Sequence, residues 1–238
     1  MKVIGNSNIG IVRKENQDAF WIHQINAETA IAVVCDGMGG ARGGQQASNL
    51  AVSAVKEYIE THKIPDNEKK AFDKIVKSSN KRVFKKASED ETLAGMGTTM
   101  VLALIKEGIA HIANVGDSRA YHITNGSIRQ VTKDHSAVQE LVDKGHLTER
   151  QAKIHPNKNI ITRAIGIEKE IEYDYFKVEI NANDIVLLCT DGLSNNMDES
   201  EIQFEASGGD FESLSTRLID LANTRGGTDN ITVAAIQI

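Results

Sequence analysis

The chain has 238 residues, 40% of them hydrophobic and 25% charged, with a formal net charge of −6. That length suits one domain with a substantial core, and the acidic balance argues against nucleic acid as a partner. No apolar stretch is long enough to span a bilayer, and Met1 to Asn6 lacks a signal-peptide core, so a cytoplasmic location away from membranes is expected.

The first strong element is the run Ala30-Ile31-Ala32-Val33-Val34-Cys35, which stops at Asp36-Gly37. A short, unbroken apolar run closed by turn residues reads as a buried strand. Ala47, Leu50, Ala51, Ala54, Val55, Tyr58 and Ile59 then recur at three- and four-residue steps, which predicts an amphipathic helix. A second helix follows, with Ala71, Phe72, Ile75, Val76, Val83 and Ala87 on its inner face. Its outer stripe of Lys70, Lys74, Lys77 and Lys81 reads as a solvated face.

Strand patterns take over at Thr98 to Ile105, Ile109 to Val115 and Arg119 to Thr124. Asn125-Gly126 is a hairpin signal leading into Ile128 to Val131. Short polar connections throughout this stretch imply antiparallel pairing. Ser136 to Asn159 is polar, holds one or two short helices and reads as a flap. Ile185 to Thr190 repeats the buried-strand pattern and again stops at Asp-Gly, at Asp191-Gly192. A third helix uses Phe211, Leu214, Leu218 and Leu221. The class is α+β, in one domain over residues 1–238, with strands in the middle and helices outside. Cys35 and Cys189 fall inside the two buried strands, where reduced, packed thiols are expected.

Four acidic turns share one setting at the ends of apolar runs: Asp36-Gly37, Asp117-Ser118, Asp191-Gly192 and Asp229-Asn230. Each alone is ordinary turn chemistry. Together, carboxylates gathered at the ends of buried strands repel one another unless cations neutralise them. An all-oxygen set suits a hard divalent ion, Mg²⁺ or Mn²⁺. Arg13 adds a planar guanidinium fork suited to phosphate oxygens; a surface ion pair with Glu15 or Asp18 is the plainer alternative. Two cations about 4 Å apart and one arginine suit phosphate-ester hydrolysis.

Several motifs occur in a fixed order. They are Arg13-x-x-Asn16-Gln17-Asp18, Asp36-Gly37-Met38-Gly39-Gly40, Gly97-Thr98-Thr99 and Asn114-Val115-Gly116-Asp117-Ser118-Arg119. Asp134-His135-Ser136, Thr162 to Gly166, Thr190-Asp191-Gly192-Leu193 and Asp229-Asn230-Ile231-Thr232 follow. The series, spanning Arg13 to Val233, resembles the metal-dependent serine/threonine protein phosphatases of the protein phosphatase 2C family in their compact bacterial form.

That resemblance implies a four-layer αββα sandwich of two antiparallel sheets flanked by helices, with metals at one edge and a flap over residues 136–159. It also implies that Asp36 bridges two divalent cations, Mn²⁺ or Mg²⁺, that the Gly37 carbonyl completes one of them, and that Asp191 and Asp229 bind the other. Asp117 with Asp191 matches a third, weaker metal position, Asp18 orients water, and Arg13 grips the phosphate. The implied reaction is attack by a metal-bridging water on phosphoserine or phosphothreonine in proteins, reversing a serine/threonine kinase, by a monomer. A non-catalytic phosphoprotein-binding module, or a dedicated regulator of one phosphorylated switch protein, is the alternative.

Three positions depart from the family pattern. Met38 stands where many eukaryotic relatives carry a histidine proposed as general acid, and Ala41 and Gln45 stand where bacterial members often have histidine and glutamate. His135 and His155 flank the flap, and a structural role is expected for both.

Overall fold

A computed structural model describes residues 1–62 and 67–238, with Ala41 and Arg42 as backbone only, so the expectation for the Ala41 side chain lies outside the described residues. The chain opens with strands β1 (Lys2–Asn8), β2 (Asp18–Asn26) and β3 (Thr29–Met38), then helices α1 (Gly40–Thr61) and α2 (Glu68–Glu89). A strand-rich stretch follows: β4 (Gly97–Thr98), β5 (Met100–Lys106), β6 (Ile109–Val115), β7 (Arg119–Thr124) and β8 (Ser127–Gln130). Helices α3 (Ala137–Asp143) and α4 (Glu149–Lys153) occupy the segment read as a flap. The last third holds β9 (Asp174–Glu179), β10 (Ile185–Cys189), α5 (Asp191–Ser194), α6 (Glu199–Ser207), α7 (Leu214–Thr224) and β11 (Ile231–Gln237).

Two antiparallel sheets result, one in the order β1-β11-β10-β7-β8 and the other β2-β3-β5-β6-β9, with β4 paired to β3. Three apolar clusters show the layering. Val33 and Cys35 of β3, with Leu102 and Leu104 of β5, meet Ala51, Val55, Phe72 and Ile75 of α1 and α2. Ala32 and Val34 face the other way, against Val186, Leu188, Ala234 and Ile236 between the sheets. Leu187 and Cys189 pack beneath Leu214 and Leu218 of α7. Strands β3 and β10 are therefore covered on both faces, which is why each reads as an unbroken apolar run. This is the expected αββα sandwich, and both cysteines are free and buried, as expected.

Three sequence expectations need correction. The turn Gly116-Asp117-Ser118 does not join an antiparallel hairpin. Strand β6 pairs with β5 and β9, whereas β7 pairs with β10 and β8, so the chain crosses there from one sheet to the other. A short polar connection looks the same locally in either case; only the pairing partners differ. The strand ending in Cys35 runs on to Met38, because Gly37 and Met38 pair with Thr98 and Gly97. Phe211 precedes α7 and packs beneath it from the turn, outside the helix itself.

The glycines of both Asp-Gly pairs serve close backbone approach. Neither has a positive φ. A methyl group on Gly37 would collide with the Gly44 carbonyl oxygen of α1, and one on Gly192 with the Asn230 carbonyl oxygen ahead of β11. Both collisions are with backbone, which cannot swing aside. Gly192→Ala is expected to cost about 3 kcal/mol or more, read as a lower urea midpoint with an unchanged slope.

Candidate active site

The ends of β3, β6, β10 and β11 and the loop before β2 open into one cleft of about 590 Å³. Arg13, Asp36, Gly37, Asp117, Asp191 and Asp229 all line it. The structure thus brings together residues as far apart as Arg13 and Asp229, 216 positions along the chain, because the sandwich stacks these chain reversals at one edge. Asp36 is fixed through its backbone. Its N–H donates to Thr99 Oγ1 (2.9 Å), and its carbonyl accepts from Thr98 Oγ1 (2.8 Å) and the Thr99 N–H (2.9 Å). Asp191 is the first residue of α5, and its Oδ2 accepts from Asn195 Nδ2 (2.9 Å). Asp117 sits on the crossover between the sheets. His135 clamps that crossover: its Nδ1 accepts from the Gly116 N–H (3.1 Å) while its own N–H donates to the Gly116 carbonyl (2.9 Å).

Asp18 lies behind the cleft wall and is 8% exposed. Its Oδ2 accepts from Thr232 Oγ1 (2.7 Å) and Thr190 Oγ1 (2.9 Å). Burial, only partly offset by these two hydroxyls, pushes its pKa up to about 7. Burial and the neighbouring carboxylates also push Asp36 well above the ordinary range, and Asp117 up to about 8. Asp191 rises through burial and the charge of Asp229. Asp36, Asp117, Asp191 and Asp229 keep one side open to the cleft, so water screens part of this repulsion.

Arg13 pairs with neither Glu15 nor Asp18. Its Nη2 donates to Asp229 Oδ2 at 2.7 Å, and this contact raises the guanidinium pKa. The loop that carries it is tied down by Asn230, whose Nδ2 donates to the Ile9 and Glu15 carbonyls while its Oδ1 accepts from the Gln17 N–H. Gln45 Nε2 donates to the Asn16 carbonyl (3.3 Å), and Ser48 Oγ to the Gln17 carbonyl (2.6 Å), so α1 braces the same loop.

The residues present fit hard cations. Asp18 Oδ1 and Asp191 Oδ1 are buried without a hydrogen-bond partner, which is costly unless something else occupies them. Among the described residues, no three His, Cys, Asp or Glu side chains form a compact ligand cage. An open carboxylate set of this kind suits ions that keep several waters, as Mg²⁺ does.

His135 is spoken for: its Nε2 faces Asp174 Oδ2 (3.3 Å), and burial pushes its pKa down. His155 Nδ1 accepts from the Asn157 N–H within its own loop. Sequence reasoning gave no role to Thr98, Thr99, Thr190, Thr232 or Asn230. The available signal was their place in the ordered motifs: Thr98 and Thr99 in Gly97-Thr98-Thr99, Thr190 beside Asp191, and Asn230 and Thr232 just after Asp229.

Comparison with known proteins agrees with this geometry. The family model described as protein phosphatase 2C matches residues 10–232. The serine/threonine phosphatase stp of Listeria welshimeri is 38% identical over 232 residues, covering 96% of this chain and 92% of that protein. The crystal structure of serine/threonine phosphatase Stp1 from Staphylococcus aureus superposes with a TM-score of 0.94 at 34% identity, over 100% of this chain and 94% of that one. The catalytic domain of the serine/threonine protein phosphatase PstP, solved in complex with two manganese ions, gives a TM-score of 0.87 at 31% identity, over 98% of this chain and 96% of that one. An acidic cleft with orphaned carboxylate oxygens, on this sandwich and with these relatives, makes the chain a member of the protein phosphatase 2C family.

Proposed function

We propose that the whole chain acts as one phosphatase domain that hydrolyses phosphoserine and phosphothreonine in proteins, with its chemistry in the cleft built around Asp36. The carrying observation is the convergence of Asp36, Asp117, Asp191, Asp229 and Arg13 on one cleft, with Asp18 behind it. Asp36, the Gly37 carbonyl, Asp191 and Asp229 hold two divalent cations, Mn²⁺ or Mg²⁺, and Asp117 with Asp191 holds a weaker third. Bound there, the cations supply positive charge to the phosphoryl oxygens and make water a competent nucleophile.

The chain's own groups do the rest. Arg13 carries a fixed guanidinium into the cleft, and with a cation held at Asp229 its fork would be free to face the phosphate. Asp18, locked by two threonine hydroxyls, presents Oδ1 as a fixed acceptor that orients water. Met38 lines the cleft and has no proton to give. Both ring nitrogens of His135 are already engaged, so the leaving-group proton comes from neither residue.

The opposing activity is that of a serine/threonine kinase, and the protein works as a cytoplasmic monomer. Two free, buried thiols support a reducing compartment. Among the described residues no helix is long and apolar enough to cross a membrane. The test is hydrolysis of para-nitrophenyl phosphate and a phosphothreonine peptide with added Mn²⁺ and after EDTA. Turnover with Mn²⁺ should fall at least about 100-fold on chelation. Equal rates in both conditions would overturn the assignment.

A further inference from the structure

Among the described residues eight large apolar side chains are exposed, and four of them neighbour, in sequence or in space, residues that line the phosphate cleft: Ile11 (66%), Val12 (63%), Ile160 (51%) and Ile167 (43%). Exposed apolar residues are ordinarily scattered singly, so this gathering at one cleft calls for a reason. Ile11 and Val12 directly precede Arg13 on one bank. On the other, Ile160 lies between Asn159 and Ile161, which both line the cleft. Ile167 and the cleft-lining Met38 bring their terminal methyls, Cδ1 and Cε, against the same face of Gly97.

Both banks are held in place. The Ile11 and Val12 N–H groups donate to the Gly227 carbonyl (2.7 and 3.3 Å), and Asn230 ties down the chain on either side. The Ile160 carbonyl accepts from the Ala137 N–H (2.8 Å), and Ile161 bridges to Ser136. A backbone so constrained presents branched side chains to solvent at little further entropic cost on contact. Cations bound to the carboxylates would cancel much of the negative charge that would otherwise favour basic residues beside the phosphate. The apolar banks then stand beside Lys14 and Glu15 as a discriminating surface.

We propose that Ile11 and Val12 on one bank, and Ile160 and Ile167 on the other, are specificity residues. They seat aliphatic side chains that flank the phosphorylated residue of a protein substrate. The preferred substrates are therefore phosphoserine or phosphothreonine sites bordered by residues such as leucine or isoleucine. This inference rests on the phosphatase reading above.

The test uses three phosphothreonine peptides that differ only in their flanking residues: leucine, asparagine or lysine. For Mn²⁺-loaded protein, kcat/KM on the leucine peptide should exceed that on the asparagine peptide by about tenfold. The double variant Ile11→Ser, Val12→Ser should bring that ratio near one, through KM more than kcat. A ratio of rates cancels any loss of active fraction, and Ile160→Ser with Ile167→Ser repeats the measurement on the other bank. Equal rates on the leucine and asparagine peptides, a preference for the lysine peptide, or an unchanged ratio in both double variants would overturn the inference. Should the wild-type protein hydrolyse none of the three, the phosphatase reading itself fails. Fluorescence anisotropy with labelled forms of the same peptides then decides the inference separately, with equal affinities overturning it.

Discussion

Asp36→Asn is expected to lower Mn²⁺-dependent phosphoester hydrolysis by about 10³-fold or more while raising the melting temperature of the metal-free protein. The two effects have one cause. Asp36 lies in a crowd of carboxylates, and burial together with the charges of Asp18, Asp191, Asp117 and Asp229 disfavours its ionised form. Asparagine keeps the shape and removes the charge. The backbone is pinned by Thr98 and Thr99 independently of the side chain, so the strand should not shift. Relief of like-charge crowding contributes about 1–3 kcal/mol, and each kcal/mol corresponds to roughly 2–4 °C in a chain of this size. With Mn²⁺ present the order should reverse. The wild type gains stability by mass action, about 2.7 kcal/mol at a hundredfold excess over Kd, and a variant lacking the central carboxylate does not. Calorimetry in EDTA and in Mn²⁺, beside a hydrolysis assay, reads all of this. A metal-free variant that melts below the wild type would show that the carboxylates are not in conflict.

What the sequence revealed follows from how each element is buried. Strands β3 and β10 are covered on both faces, so every position is apolar and the pattern needs no tertiary information. Strand β1, with Gly5, Asn6, Ser7 and Asn8, lies at a sheet edge, and its pattern carries little β preference. Helix α6 buries Ile202 alone and so shows no apolar stripe. The crossover at Gly116 was misread because turn chemistry is local while the choice of sheet is not. At the site, the ordered motifs named the acidic residues. The pairing of Arg13 with Asp229, and the two threonines that hold Asp18 from β10's end and β11, required the folded chain. Side chains that position others through contacts between remote strands leave no periodic trace.

Raising the pH of the metal-free protein from about 5 to about 8 is expected to lower its stability, and saturating Mn²⁺ should remove most of that slope. In the unfolded chain an aspartate titrates near 3.8. In the folded chain Asp18 holds its proton up to about 7 and Asp117 up to about 8, with Asp36 and Asp191 also raised. Between those limits the folded state binds more protons than the unfolded state, so unfolding free energy falls as pH rises. The contribution is complete below the unfolded value and is lost as each folded value is passed. Open water in the cleft screens part of it, which leaves a total on the order of 2 kcal/mol. The acid side is limited by other groups, such as Glu201, which Arg225 holds near 2 and which stabilises the fold only while ionised. Cations reverse the argument in the cleft: they bind the ionised carboxylates and make deprotonation favourable to folding. Urea midpoints at pH 5, 6.5 and 8, in EDTA and in Mn²⁺, give both slopes. Parallel curves in the two series would mean that the raised carboxylates and the cation site are separate, and the assignment of Asp36 and Asp191 as ligands would fall.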